Sequence, residues 1–86
     1  MPKPYERCAA WRLAHATHLA VHRRTEHWPR REWYGLAQQA RRAAFSVATN
    51  IVEGSAKRGP REFRRFLDIS VGSLAELQYV LGCARE

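Results

Sequence analysis

The sequence has few acidic residues, few cysteines and no long apolar run. Only 8 of its 86 residues are Asp or Glu, against 15 Lys and Arg, which gives a formal charge of +7. Cys8 and Cys83 follow neither metal-binding nor redox spacing, so we expect two reduced thiols, as in a cytoplasmic protein. No apolar stretch approaches the ~18 residues of a membrane span, and the N-terminus lacks the apolar segment of a signal peptide. We therefore expect a cytoplasmic protein without a membrane segment.

The motifs of common enzymes are also missing. There is no GxSxG sequence, no phosphate-binding loop and no dinucleotide fingerprint, and the five glycines are scattered. Glu53 is the only carboxylate inside the central helical pattern, and Cys8 near a helical histidine is too common an arrangement to indicate a nucleophile. The sequence predicts a protein that is not an enzyme and uses no cofactor.

Gly and Pro are few and 45% of the residues are hydrophobic, so the chain is predicted to fold as one domain over 1–86. The apolar residues recur at helical spacing in three segments, about 4–25, 33–57 and 60–86, which predicts an all-α antiparallel up-down bundle. Gly59 and Pro60 suit the end of one helix and the start of the next. The inner face of the second helix is almost all small residues: Ala37, Ala40, Ala44, Val47, Ala48, Ile51 and Ser55.

Two groups of larger apolar residues extend beyond the predicted core faces. Phe45 and Val52 form a second apolar edge on the central helix, and Phe66 and Ile69 widen the stripe of the third helix. These four residues are the predicted surface for assembly with a second copy or another protein. The third pattern continues to Glu86 without a cap, so we expect apolar surface that either further chain or a neighbouring subunit covers.

Arginine clusters are the stronger indication of function. Residues 57–65 contain five cations against Glu62, and two more lie within the second helix. Such a density favours RNA or DNA backbone as the partner, without base reading. The alternative is a protein–protein scaffold or accessory subunit with no nucleic-acid role, in which the basic face is solvated and keeps the protein in solution. The candidate nucleic-acid-binding residues are Arg41, Arg42, Lys57, Arg58, Arg61, Arg64 and Arg65.

A row of histidines on the first helix is a further candidate site. His15, His18 and His22 lie at i, i+3 and i+7, and histidines on adjacent turns can chelate a borderline metal. However, His15 and His22 are ~10.5 Å apart along the helix, too far for both to reach one ion easily. Half-buried bundle histidines are therefore the favoured interpretation, metal binding is the minor alternative, and no metal site is predicted.

A joint pattern of motifs runs through the chain: Trp11 and Trp28-Pro29, followed by Tyr34-Gly35-Leu36, Gln39–Ala44, Asn50–Gly54, Phe66-Leu67 and Gly72–Leu77. This pattern resembles the four-helix bundle protein family, also called the 23S rRNA intervening-sequence protein family.

This resemblance implies an antiparallel four-helix bundle that assembles as a homopentamer, encoded in bacterial rRNA genes or elsewhere in bacterial genomes. It carries over no catalytic residues. A related branch binds a reverse transcriptase and its template RNA. The sequence departs from the family in two respects, because the fourth helix is absent and because His18 and His22 replace a Leu-like and an aromatic residue.

Overall fold

A computed structural model describes residues 3–28 and 33–85, and the regular structure within these ranges is entirely helical. A short 3₁₀ helix, Pro4–Arg7, precedes α1 (Ala9–Thr25), α2 (Tyr34–Ser55) and α3 (Pro60–Arg85). The predicted all-α class is confirmed. The predicted loop residues 29–32 and the last residue, Glu86, lie outside the described ranges.

The prediction of one continuous first helix over 4–25 was wrong. The chain breaks at Cys8, whose backbone is extended (φ −87°, ψ 119°). Tyr5 packs on Trp11 with ring centroids 4.8 Å apart. In one α-helix, residues six apart lie ~240° apart around the axis, on different faces. The break lets Tyr5 fold back onto α1 and contact Trp11.

The connection between α2 and α3 follows the expected turn chemistry. Gly59 has φ +87°, a left-handed conformation that costs glycine little, and Pro60 is the first residue of α3. The carbonyl of Gly59 accepts the first α3 hydrogen bond, from the Phe63 amide. The second helix ends at Ser55, two residues earlier than the predicted 57, so Lys57 lies in the turn.

The helix α2 forms the centre of the fold and packs against both α1 and α3. Its alanines are the most buried residues, with Ala40 and Ala44 fully buried against Val21, Leu77 and Val80. Small side chains let the helix axes approach closely, as the periodicity predicted. A second cluster, nearer the α2–α3 turn, contains Ala14, Val47, Ala48 and Ile51.

Hydroxyl groups join α2 to α3 across their interface. The buried Ser70 hydroxyl donates to the Val47 carbonyl oxygen at 2.9 Å. The Ser46 and Ser73 hydroxyl oxygens are 2.7 Å apart. Ser46 is half-buried and takes part in the packing of α2 against α3. These bonds fix the register of the antiparallel pair.

A groove remains open between α1 and α3, with α2 as its floor. Leu13 is 72% exposed and Val71 65% exposed, and Leu67 and Leu74 also line the groove. Ala10 and Thr17 are exposed as well, so the residues that recur at helical spacing in the first segment are only partly buried in α1. Helices α1 and α3 both pack against α2 but have few contacts with each other, which agrees with the expected uncovered apolar surface.

Candidate nucleic-acid interface

The basic residues around the α2–α3 turn form what we call the junction cluster: Lys57, Arg58, Arg61, Arg64 and Arg65. Lys57 and Arg58 follow the end of α2, and the three later arginines lie on the first two turns of α3. All five side chains are exposed. The tight turn at Gly59 brings the two halves of the cluster to one end of the bundle.

Acidic residues neutralise little of this charge. Arg65 Nη1 lies 3.9 Å from Glu62 Oε1, and both side chains are largely exposed, so the pair is weak. Within residues 3–28 and 33–85, Arg58, Arg61 and Arg64 form no ion pair. Lys57 Nζ lies 5.7 Å from the centroid of the Phe66 ring, a distance at which cation–π attraction acts. Most of the cluster therefore remains available to an anion.

The sequence did not identify Arg7 as part of this region. Arg7 belongs to the 3₁₀ helix, yet it lines the same surface depression as Lys57, Gly59 and Pro60. The N-terminal turn of α3 also opens here, and its dipole favours negative charge. No signal in the sequence links Arg7 with residues some fifty positions later, since only the return of α2 alongside α1 brings them together.

The structure separates Arg41 and Arg42 from the junction cluster. Arg41 precedes Ser55, the last residue of α2, by 14 positions, or about 21 Å along the helix. Arg41 Nε donates to Thr25 Oγ1 at 2.8 Å, and its Nη2 donates to the His22 carbonyl oxygen at 3.5 Å. Arg41 thus holds the C-terminal end of α1 against α2, whereas Arg42 is exposed. The predicted basic residues therefore lie in two separate places, the junction cluster and the middle of α2. The Arg41 side chain mainly holds α1 against α2.

Replacing Thr25 by valine is expected to cost about 1 kcal/mol of the free energy of unfolding. Thr25 is 5% exposed, and its hydroxyl also donates to the Val21 carbonyl oxygen at 2.8 Å. Valine keeps the shape but leaves Arg41 Nε without its acceptor. Urea denaturation measures the loss, and Thr17→Val on the exposed face of α1 is the control. Equal stability of Thr25→Val and the wild type would contradict the assigned role of Arg41.

The predicted assembly residues do not form one surface. Phe45 is 54% exposed and packs on His18 of α1, with ring centroids 5.4 Å apart. Val52 lies two turns later on the same face of α2. Phe66 is half-buried against the opposite flank of α2, beside Gly54, and Ile69 is 43% exposed. The groove beside Leu13 and Val71 is a further exposed apolar surface, and it lies outside the four predicted residues.

The histidine row divides into a single residue and a pair. His15 stacks on Trp11, with ring centroids 4.9 Å apart and planes 9° apart. His18 and His22 contact each other edge to face, with centroids 4.9 Å apart. Within the described ranges, no group of three or more His, Cys, Asp or Glu residues is placed to hold one metal ion. Cys8 and Cys83 are both half-buried free thiols.

Acidification is expected to destabilise the fold through His18. Burial lowers the pKa of His18 below 6.5, and the nearby His22 and His15 lower it further. Because the folded state binds this proton less readily, the His18 contribution is fully present above pH 6.5 and is lost as the pH falls below that value. Urea denaturation at about pH 7.5 and about pH 5.5 should show a smaller loss for His18→Gln than for the wild type. An equal loss in both proteins would contradict this prediction.

The chain is similar to a known protein family. Within the described ranges, no helix is both long and apolar enough to cross a membrane. A search among curated proteins gave no significant match. Residues 6–86 match the family model described as 23S rRNA-intervening sequence protein, and the match spans nearly the whole chain. The protein therefore belongs to the 23S rRNA-intervening sequence protein family.

Proposed function

We propose that this protein is a non-enzymatic, cytoplasmic bundle protein that binds nucleic-acid backbone, RNA or DNA, through the junction cluster. The observation that carries the proposal is the exposure of five cations at one end of the bundle, where Glu62 is the one weak acidic partner among the residues that the structure describes. The net charge of +7 adds long-range attraction for a polyanion. The two free cysteines support a reducing compartment.

The arrangement favours phosphate contact over base reading. The guanidinium group of arginine binds two phosphate oxygens in a bidentate arrangement. Arg61 and Arg65 lie one turn apart on the same face of α3. The exposed side chains around them are short of aromatic rings, because Phe63 and Phe66 are half-buried against α2. Binding should therefore depend on the number of phosphates contacted and little on their sequence. Arg42 is a separate, weaker contact in this proposal, and Arg41 contributes charge only.

A labelled RNA hairpin of arbitrary sequence, followed by fluorescence anisotropy across a salt series, tests the proposal. Contact with three to five phosphates gives a slope of about −3 to −4 for the logarithm of the association constant against the logarithm of salt concentration. A second hairpin of unrelated sequence should bind equally well. Absence of binding at low salt, or binding that does not change with salt, would refute the proposal.

Assembly with other copies of this chain is the second candidate function, and the open groove between α1 and α3 favours it. Leu13, Val71 and Leu74 expose contiguous apolar surface there. We propose a homo-oligomer, a pentamer in view of the family, in which this surface is covered. Light scattering coupled to size exclusion measures the mass in solution. A stable monomer at micromolar concentration would refute assembly and leave the binding proposal to its own test.

A further inference from the structure

The pair of histidines on α1 is a distinct feature that the nucleic-acid proposal does not use. His18 and His22 are one turn apart, and both residues are half-buried. Their centroids are 4.9 Å apart. Two imidazoles on one ion at metal–nitrogen distances of about 2.0–2.1 Å, separated by a roughly tetrahedral angle, have centroids about 5 Å apart. The observed spacing therefore suits a chelate and requires only ring rotation to aim two nitrogens at one point.

We propose that His18 and His22 form a two-ligand site for a borderline divalent transition metal, of the class of Zn²⁺, Ni²⁺ and Cu²⁺. Imidazole nitrogen is a preferred ligand for these ions. Water completes the coordination, because no third His, Cys, Asp or Glu of the described ranges joins the pair. The bound ion is consequently exchangeable and peripheral to the core.

Neighbouring contacts hold the backbone of this pair in place. The His22 carbonyl oxygen accepts from Thr25 Oγ1 at 3.2 Å and from Arg41 Nη2 at 3.5 Å. Phe45 backs the His18 ring at 5.4 Å. A fixed turn of helix loses little backbone freedom on binding, so only the two ring torsions have to be ordered. Because Arg41 carries a positive charge close to the His22 backbone, it repels a metal cation and limits the affinity.

The structure also distinguishes the pair from His15. The ring of His15 is stacked flat on Trp11, whereas the His18 and His22 rings contact each other. Two turns separate His15 from His22, about 10.5 Å along the helix. His15 is therefore the matched control residue on the same helix.

Calorimetric titration of the untagged protein with Zn²⁺, repeated with Ni²⁺, tests the site. The wild type and His15→Gln are expected to bind one ion per chain with equal affinity. His18→Gln and His22→Gln should each weaken binding by about tenfold or more. A chain with Cys8→Ser and Cys83→Ser should bind as the wild type does, which excludes thiol ligation.

A second readout separates metal binding from effects on folding. Because an ion that binds only the folded chain raises its stability, Zn²⁺ should raise the denaturation midpoint of the wild type and leave that of His18→Gln unchanged. No stoichiometric binding by the wild type would overturn the proposal. Equal losses in His15→Gln and His18→Gln, or loss of binding on removal of the cysteines, would overturn it as well.

Discussion

Replacing Gly54 by alanine is expected to destabilise the protein by about 1–3 kcal/mol. A Cβ atom at this position would lie 2.8 Å from Phe66 Cβ and 2.9 Å from Phe63 Cδ1. The Phe66 Cβ is attached directly to the α3 backbone, so it can move only if the helix moves. Alanine has the higher helix propensity by up to about 1 kcal/mol, but that gain is smaller than the cost of forcing α2 and α3 apart.

Gly72→Ala is the matched control for this experiment. Gly72 lies in the interior of α3, is exposed, and has no atom within 4 Å of an added Cβ. It should gain about 0.5–1 kcal/mol from the same substitution. Thermal melting followed by circular dichroism separates the two variants by several degrees in opposite directions. Unchanged or higher stability of Gly54→Ala would contradict the close packing of the two helices.

Neutralising three arginines of the junction cluster is expected to weaken RNA binding by roughly 100-fold at about 0.15 M salt. The substitutions are Arg58→Gln, Arg61→Gln and Arg65→Gln, made together. These side chains are exposed, and within 3–28 and 33–85 only Arg65 has an acidic partner, so the fold should be retained. Each lost phosphate contact leaves about one more counterion on the RNA, and the three losses in affinity multiply.

The control removes the same charge from the other end of the bundle. Arg23, Arg24 and Arg85 are exposed and lie in the last turns of α1 and α3. Changing all three to glutamine also lowers the formal charge from +7 to +4. The two triple variants therefore differ only in where the charge is removed. If both weaken binding equally, the attraction comes from net charge and the junction cluster is not a site.

The helices and the core of α2 could be predicted from the sequence because their cause is periodic. Spacings of three and four residues place the alanines on one face of α2, whichever helices pack against that face. Ala40 and Ala44 are fully buried as expected. The backbone preferences of Gly59 and Pro60 are properties of the residues themselves, so the position of the α2–α3 turn could also be predicted. The match to the family confirms the resemblance based on the same segment.

Features that depend on contacts between distant residues could not be predicted. The break at Cys8 accompanies the packing of Tyr5 on Trp11, whereas the periodic pattern of the sequence continues through residue 8. Arg41 and Arg42 are adjacent in sequence, yet only Arg41 faces Thr25, so only the structure separates a packing residue from an exposed one. The role of Gly54 likewise becomes visible only when Phe66 is placed beside it.

The salt dependence of RNA binding, measured side by side for the wild type and the two triple variants, tests the central claim most directly. If the junction cluster holds the backbone, removing Arg58, Arg61 and Arg65 reduces the magnitude of the logarithmic slope by about 2 to 3. Removing Arg23, Arg24 and Arg85 leaves the slope close to that of the wild type. Identical slopes for the two variants, or a larger change from the Arg23, Arg24 and Arg85 substitutions, would contradict the account.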